Sequence, residues 1–401
     1  MKENIEEIKQ GTITSPQGFL AGAVEAAVKY KGRLDLGILY SGEPCTSAAV
    51  FTANKVKAAP ILLSMKNIGK GKVQAVVVNS GCANACTGDR GLKDAADMAD
   101  FTAAKLGLRP SQVIVASTGV IGASLPLERI KAGIEKTELF GDGGHRLARA
   151  IMTTDTRPKE IAVRTVDSTG HYTIGGIAKG AGMIHPNMAT LLSLLATDAK
   201  VESGFLHKAL RSAVENSFNM ITIDGDTSTN DMVSIMANGV ANNELITEKN
   251  GRVFQQALDT VCRFLACSIA ADGEGATKMI EVSVEGAKNI AEARKIARTI
   301  AASLLVKSAI HGNDPNWGRI VAALGRSGTA MDEKKLDVFL QGEIVMQEGS
   351  PLPFEKDKLS RRLKTDKVII RVCLNIGNGK ASAWGCDLSQ EYVTINSDYT
   401  T

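Results

Sequence analysis

The segment that decides the fold is Ile174-Gly-Gly-Ile-Ala-Lys-Gly-Ala-Gly-Met-Ile-His-Pro-Asn-Met-Ala-Thr-Leu-Leu-Ser-Leu-Leu-Ala-Thr-Asp198. Its four glycines predict a flexible loop over 175–186, because glycine adopts backbone angles that other residues avoid. The loop ends at Pro186, whose ring fixes φ at about −65°. Thr190 then follows the small residue Ala189 and opens an apolar run that predicts a buried strand. The pattern places a hydroxyl at a strand edge, and it is equally typical of a plain glycine-rich turn before a core strand.

Predicted strands and helices alternate on both sides of this segment. On the N-terminal side, 73–78 and 113–115 are short apolar runs typical of buried strands, and apolar residues between them repeat at helical spacing up to Gly107. On the C-terminal side the patterns predict a helix over 253–265, a strand over 278–284, a helix over 291–306, a loop over 348–358 and a strand over 368–374. The order predicts a mixed α/β protein.

Length and composition restrict the class of protein. A chain of 401 residues suggests two domains or two lobes. Aromatic residues make up only 4%, and the net charge of +4 is spread thinly, so we predict no nucleic-acid partner. Seven cysteines, an odd number without zinc-site spacing, predict reduced thiols and a cytoplasmic location. The first residues are charged and no apolar run approaches about 20 residues, so we expect no signal peptide and no membrane segment.

Several local patterns resemble known binding sites but fail on inspection. The glycine-rich stretch 377–382 lacks the spacing of a phosphate-binding loop, and 118–122 lacks the full dinucleotide fingerprint. The acidic stretch 224–231 has no glycine or glutamate where a calcium loop needs them, so we interpret it as an acidic turn near a site. The five histidines form no i, i+4 pair, and we predict no metal.

The segment 179–190 closely resembles the signature of the ornithine acetyltransferase family, Lys-Gly-x-Gly-Met-Ile-x-Pro-x-Met-Ala-Thr. The resemblance extends over essentially the whole chain. Further matching segments lie at 79–81, 85–88, 117–122, 152–156, 272–278, 314–319 and 393–401. It implies an α/β fold with layered sheets and helices, of the ornithine acetyltransferase and self-cleaving aminopeptidase-like type.

Members of that family cut themselves, and the resemblance implies a cut between Ala189 and Thr190. The products would be an α chain, 1–189, and a β chain, 190–401, assembled as α2β2. In chemical terms, the Thr190 hydroxyl attacks the Ala189 carbonyl, and hydrolysis of the resulting ester frees an α-amine. The pKa of such an amine is about 7.7–8, so the amine can take the proton from the hydroxyl of the same residue.

The resemblance also implies the reaction, that of a glutamate N-acetyltransferase in arginine biosynthesis. Thr190 takes the acetyl group from N2-acetyl-L-ornithine and passes it to the α-amine of L-glutamate, giving ornithine and N-acetylglutamate. Thr118 and Gly119 would form the oxyanion hole that stabilises the tetrahedral intermediate. No cofactor is implied. Some family members also use acetyl-CoA and others do not, so acetyl-CoA is carried as an optional co-substrate.

Six residues match the substrate-binding positions of the family: Thr153, Lys179, Thr190, Glu274, Asn396 and Thr401. Lys179 suits a substrate carboxylate, and Glu274 suits the side-chain ammonium of ornithine. Structural alternatives stay open, since Lys179 could be a solvated loop charge, Glu274 could cap a helix or pair with Lys278, and Asn396 could hold a turn. The same pocket must accept a cationic and then an anionic side chain, and Arg319 is one candidate for balancing that charge.

Two other functions compete with this interpretation. The nearer one is a self-cleaving aminopeptidase or amidase that uses the same nucleophile and takes water as the acceptor. The other is a non-catalytic nucleotide-binding or regulatory protein built on the glycine-rich loops. Transfer to glutamate separates the first alternative from the acetyltransferase, and self-cleavage separates the second.

Overall fold

The computed structural model describes residues 3–69, 72–185 and 191–398. Within these ranges strands and helices alternate along the chain, and the strands form two β-sheets. This confirms the predicted α/β class. Ala189, Thr190 and Thr401, three of the predicted site residues, lie outside the described residues. No helix in the described part is long and apolar enough to cross a membrane.

The strands of the described residues are β1 (Asn4–Glu7), β2 (Phe19–Val24), β3 (Leu36–Phe51), β4 (Val73–Cys82), β5 (Val113–Val120), β6 (Lys159–Asp167), β7 (Gly170–Lys179), β8 (Leu192–Thr197), β9 (Ile221–Thr222), β10 (Met232–Ala237), β11 (Met279–Ala287), β12 (Asp337–Leu340), β13 (Glu343–Gln347), β14 (Ser350–Pro351), β15 (Lys367–Cys373) and β16 (Gly379–Cys386). The helices are α1 (Ala59–Ile68), α2 (Gly88–Leu106), α3 (Leu127–Lys136), α4 (Gly144–Ala150), α5 (Ser203–Asn216), α6 (Arg252–Ala271), α7 (Ile290–Ala301), α8 (Leu304–His311), α9 (Trp317–Gly325), α10 (Lys356–Arg362) and α11 (Gln390–Asp398).

The first sheet joins the segments on either side of the predicted cut. Its strands run in the order β1-β6-β7-β8-β10-β3-β4-β5, with β2 paired to β3. All six residues of β8 are buried, which confirms the strand predicted after Thr190. This strand is antiparallel to β7, where Ile177 faces Leu194, and parallel to β10, where Met232 faces Leu192. The N-terminal and C-terminal halves therefore interlock within one sheet.

The predicted loop over 175–186 begins later than the sequence suggested. Gly175 and Gly176 lie inside β7, and the strand continues to Lys179. A Cβ on Gly175 would lie 2.3 Å from the Thr12 carbonyl oxygen, and one on Gly176 would lie 2.5 Å from a methyl group of Leu195. These glycines serve close packing rather than flexibility, and sequence periodicity does not distinguish the two uses.

The second sheet runs in the order β14-β13-β12-β15-β11-β16-β9. The predicted strands over 278–284 and 368–374 correspond to β11 and β15, and the helix predicted over 253–265 lies within α6. The prediction of a single helix over 291–306 is wrong. The chain forms α7 and α8 instead, because the Ser303 side chain accepts a hydrogen bond from the Val306 N–H and starts a new helix.

Helix α6 connects the two sheets. It packs against β6 and β7 of the first sheet and against β11 and β16 of the second. One aliphatic core therefore extends from the first sheet through α5 and α6 to the second sheet, and further cores cover the opposite face of the first sheet. The packing brings the end of α6 beside the ends of β5 and β7.

Candidate active site

A cavity of about 260 Å³ lies where these strand and helix ends meet. Six predicted site residues line it: Thr118, Gly119, Thr153, Lys179, Glu274 and Asn396. They are all the predicted site residues that the structure describes. Leu191 and Leu192, which follow Thr190 in sequence, line the same cavity. The structure thus brings together residues that are far apart in the chain, from Thr118 to Asn396.

The predicted oxyanion-hole residues lie at the end of β5. This strand is parallel to β4, and Gly119 pairs with Gly81. Gly119 has a φ of +130°, and a Cβ there would lie 2.3 Å from the Gly81 carbonyl carbon. Only glycine fits this position. Asn230 fixes the strand end from the other side, because its amide donates to the carbonyl oxygen of Ser117 at 2.9 Å.

Lys179 is the last residue of β7 and is only 8% exposed. Its Nζ donates to the Thr118 hydroxyl at 3.5 Å. Burial lowers the pKa of the Lys179 ammonium, and the nearby Asp155 carboxylate opposes that shift. The alternative of a solvated loop charge is therefore wrong, and Lys179 presents a buried cation to the cavity.

Asp155 is the carboxylate that neutralises the buried lysines beside the cavity and binds the backbone around them. It accepts hydrogen bonds from the N–H groups of Thr153 at 2.9 Å and Gly180 at 2.7 Å. Burial alone would raise the pKa of the Asp155 carboxyl, but the ammonium groups of Lys179 and Lys159 together with the hydrogen bonds hold it at about 2. Asp155 thus fixes the backbone at Thr153 and at Gly180, the residue that follows Lys179.

Lys159 extends this network across the predicted cut. Its buried ammonium lies 2.6 Å from Asp155 and 2.6 Å from Asp272. Asp272 also accepts from the N–H of Thr156 at 3.1 Å. These roles of Asp155, Lys159 and Asp272 were not predicted from the sequence. Asp155 and Asp272 stood inside segments that match the family, but no spacing indicated that a lysine would join them.

Glu274 and Asn396 form the opposite wall of the cavity. Asn396 donates from Nδ2 to the Glu274 carboxylate at 2.8 Å, and the Glu274 N–H donates to the Ala181 carbonyl at 2.8 Å. The alternative pairing of Glu274 with Lys278 does not occur, because the Lys278 ammonium donates to the Ile310 carbonyl oxygen at 2.8 Å. Glu274 therefore points to the glycine loop and the cavity.

The acidic turn over 224–231 lies at the cavity, as its sequence indicated. Asp224 accepts from the N–H groups of Met183 at 2.5 Å and Ile184 at 2.9 Å, and so fixes the end of the glycine loop. Arg319 does not balance the charge. Its guanidinium donates to the Leu305 carbonyl at 3.0 Å, and it is not among the described lining residues. The described lining holds one cationic side chain, Lys179, and four acidic ones.

The family assignment rests on a match over almost the whole chain. Residues 20–401 match the ArgJ family. The chain belongs to the ArgJ family. This result confirms the resemblance stated above, and the position of the matched residues around one cavity agrees with it.

Relatives within the ArgJ family are similar over their full length. The arginine biosynthesis bifunctional protein ArgJ of Dehalococcoides mccartyi is 52% identical over 100% of both chains. The protein of the same name from Symbiobacterium thermophilum is 49% identical over 98% of this chain and 99% of the relative. Among solved structures, ornithine acetyltransferase from Mycobacterium tuberculosis complexed with ornithine is 39% identical over 46% of this chain and 100% of that chain, with a TM-score of 0.44.

Proposed function

We propose that this protein is a glutamate N-acetyltransferase of arginine biosynthesis, which transfers the acetyl group of N2-acetyl-L-ornithine to L-glutamate. One observation carries the proposal. In a member of the ArgJ family, Thr118, Gly119, Lys179 and Glu274 line a single cavity at the start of β8. This arrangement supplies a donor group for an oxyanion, a cation for a carboxylate and a carboxylate for an ammonium.

The chemistry begins with the cut between Ala189 and Thr190, which releases the α-amine of Thr190. That amine takes the proton of the Thr190 hydroxyl as the oxygen attacks the acetyl carbonyl. The Gly119 N–H and the Thr118 hydroxyl stabilise the oxyanion, and each such donor lowers the barrier by about 2.7–4 kcal/mol. The C–N bond to ornithine then breaks, and the amine of Thr190 returns the proton to the leaving nitrogen.

The second half of the reaction runs the same steps in reverse with another amine. The α-amine of glutamate attacks the acetyl ester, and N-acetylglutamate leaves as the Thr190 hydroxyl is restored. Lys179 binds the substrate carboxylate, and Glu274, held by Asn396, pairs with the side-chain ammonium of ornithine. Thr153 and Thr401 complete the predicted set of binding residues.

Assembly, location and co-substrate belong to the same proposal. The fragments 1–189 and 190–401 would form an α2β2 complex, with no cofactor and with acetyl-CoA as an optional second acetyl donor. A cytoplasmic location fits the seven cysteines, none of which is paired. No nucleic-acid partner and no membrane partner is proposed.

Intact mass spectrometry combined with product analysis tests the function. Purified protein is incubated with N-acetylornithine, with and without glutamate, and ornithine, N-acetylglutamate and acetate are measured. We expect two fragments, one acetyl group on fragment 190–401 without glutamate, and rapid N-acetylglutamate formation only with both substrates. Acetate release that is equally fast without glutamate would identify a hydrolase instead. A third arm replaces N-acetylornithine with acetyl-CoA.

The matched control is Thr190→Ala, which removes only the hydroxyl and one methyl group. We expect a single uncut chain that gains no acetyl group from N-acetylornithine. Two fragments from this variant would contradict the proposed cut and the assignment of the nucleophile.

A further inference from the structure

A second cavity, separate from the candidate active site, lies along helix α7. Its volume is about 810 Å³, compared with about 260 Å³ for the active-site cavity. This volume is in the usual range of small-molecule pockets, about 300–1,000 Å³. We call it the basic groove, because four cationic side chains and a single acidic one are found among its described lining residues: Arg294, Lys295, Arg298, Arg326 and Glu215.

The positive charge of the basic groove is concentrated on one face of α7. Arg294 and Arg298 are one helical turn apart and therefore lie on the same side of the helix, with Lys295 beside them. Of the four cations, only Arg294 has a carboxylate at ion-pair distance in the described part of the chain, since its Nη1 lies 3.9 Å from Glu215. The lining thus has three more cationic than acidic side chains.

Arg298 is the half-buried cation of this face. Its Nε is buried and has no hydrogen-bond partner among the described residues. Burial lowers the pKa of the Arg298 guanidinium, and no carboxylate of the described ranges offsets that shift. The neighbouring His185 adds no charge at pH 7, because burial and the Arg298 charge lower its pKa to about 4. A buried charge without a partner costs free energy, so an anion bound here would stabilise Arg298.

We propose that the basic groove binds a small molecule that carries a diphosphate group. A guanidinium presents its N–H groups in a planar fork that matches the oxygens of phosphate, and it stays charged at any physiological pH. A single carboxylate would neutralise only one of the three excess positive charges. Two linked phosphates, each with about one to two negative charges, match the groove better.

The basic groove and the active-site cavity share a wall. Ile184 and Ser228 line the active-site cavity, whereas their chain neighbours His185 and Thr227 line the groove. The Thr227 hydroxyl donates to the His185 carbonyl oxygen at 3.0 Å and joins the two segments of the wall. A ligand of the groove therefore lies next to the active site. Its diphosphate could belong to a coenzyme such as coenzyme A or to a free diphosphate.

Titration calorimetry at low salt tests the proposal with three compounds: pyrophosphate, adenosine diphosphate and coenzyme A. The purified protein is titrated without N-acetylornithine or glutamate, so the result does not depend on the proposed function. We expect the wild type to bind at least one of the three compounds. Tighter binding of coenzyme A than of the other two would assign the diphosphate to the coenzyme. Equal or weaker binding of coenzyme A would assign it to a free diphosphate, and either order supports the groove.

Two variants of the groove and a matched control locate the bound compound. Arg298→Gln should raise Kd by about 10- to 100-fold, because it removes a charged hydrogen-bond donor of the groove. Lys295→Gln should raise Kd by a smaller factor, because Lys295 is exposed. The control is Arg263→Gln, which removes one positive charge from the exposed face of α6 outside the groove lining. Its Kd should equal that of the wild type.

Three results would overturn the inference. The first is a wild type that binds none of the three compounds. The second is an Arg263→Gln variant that loses as much affinity as Arg298→Gln, because overall charge would then account for the binding. The third is a Kd that stays unchanged in Arg298→Gln but rises in Lys179→Gln, which would place the anion in the active-site cavity.

Thermal melts without ligand show whether Arg298→Gln is folded. We expect its melting temperature to equal or exceed that of the wild type, because the substitution removes a half-buried charge that has no described partner. If this variant does not fold, Lys295→Gln decides the question, since its exposed side chain can be replaced without disturbing the core. A folded Lys295→Gln variant that binds as tightly as the wild type would then overturn the inference.

Discussion

At the scale of single residues, the site depends on backbone positions as much as on side chains. Gly119 is the clearest case. Its φ is +130°, and a Cβ added there would lie 2.3 Å from the carbonyl carbon of Gly81, so every other residue is excluded. Gly119 is also one of the two residues predicted to form the oxyanion hole, and it lines the cavity. Its backbone conformation and its predicted role therefore concern the same position.

The first residue-scale prediction concerns Gly119→Ala. The added methyl must push the end of β5 away from β4, which displaces an oxyanion-hole donor, so acetyl transfer should fall by about 10²- to 10³-fold. The measurement is kcat with N-acetylornithine and glutamate. Gly141→Ala is the control, since a Cβ at Gly141 meets nothing within 4 Å. A Gly119→Ala enzyme as active as this control would remove Gly119 from the oxyanion hole.

The second residue-scale prediction concerns Asp155→Asn. This change leaves the buried Lys159 without one of its two carboxylates, so the free energy of unfolding should fall by about 3–5 kcal/mol at pH 7. The pKa of the Asp155 carboxyl in the folded chain is about 2, below its ordinary 3.8. Ionised Asp155 therefore contributes its full stability above about pH 4, and that contribution is lost as the pH falls to about 2.

Thermal melts of the wild type and of Asp155→Asn at several pH values test this dependence. The difference between the two melting temperatures should be constant from pH 7 to about 4 and should narrow below that. A gap that widens on acidification would show that the Asp155 carboxyl is not held ionised by Lys159 and Lys179.

At the scale of elements, the glycine-rich segment shows how sequence and structure can diverge. Four glycines before a proline predicted one loop, but the first two lie within β7 and only the last two belong to the loop after it. The difference arises from tertiary packing, because the space beside Gly175 is filled by the backbone of residue 12. No pattern within the segment contains that information.

Gly175→Ala tests this element directly. If the position were a flexible loop, alanine would be neutral or slightly stabilising. The strand predicts the opposite, because the new methyl meets a backbone carbonyl at 2.3 Å that cannot rotate away, and overpacking of this kind costs about 1–3 kcal/mol. Denaturant unfolding of Gly175→Ala beside Gly141→Ala measures the difference. Equal stability of the two variants would show that β7 ends before Gly175.

At the scale of the whole molecule, the sequence predicted the class of fold and most of the cavity. Thr118, Lys179 and Glu274 could be assigned to one site because each lies in a sequence segment that matches the family. The two carboxylate partners of Lys159 were not predicted. A buried carboxyl acquires its role from neighbours that are distant in the chain, such as the 113 positions between Lys159 and Asp272, and only the packed structure shows which neighbours those are.

The same packing predicts how the molecule behaves after the cut. Strand β8 lies between β7 of the N-terminal half and β10 of the C-terminal half, and Lys159 and Asp272 form a buried ion pair across the two halves. Fragments 1–189 and 190–401 should therefore elute together in size-exclusion chromatography and separate only in denaturant. Fragment 190–401 expressed alone should not fold, because β8 and β10 would lose the partner strands β7 and β3. Recovery of that fragment alone with native-like circular dichroism would contradict this, since it would mean that the two halves are stable without their shared sheet.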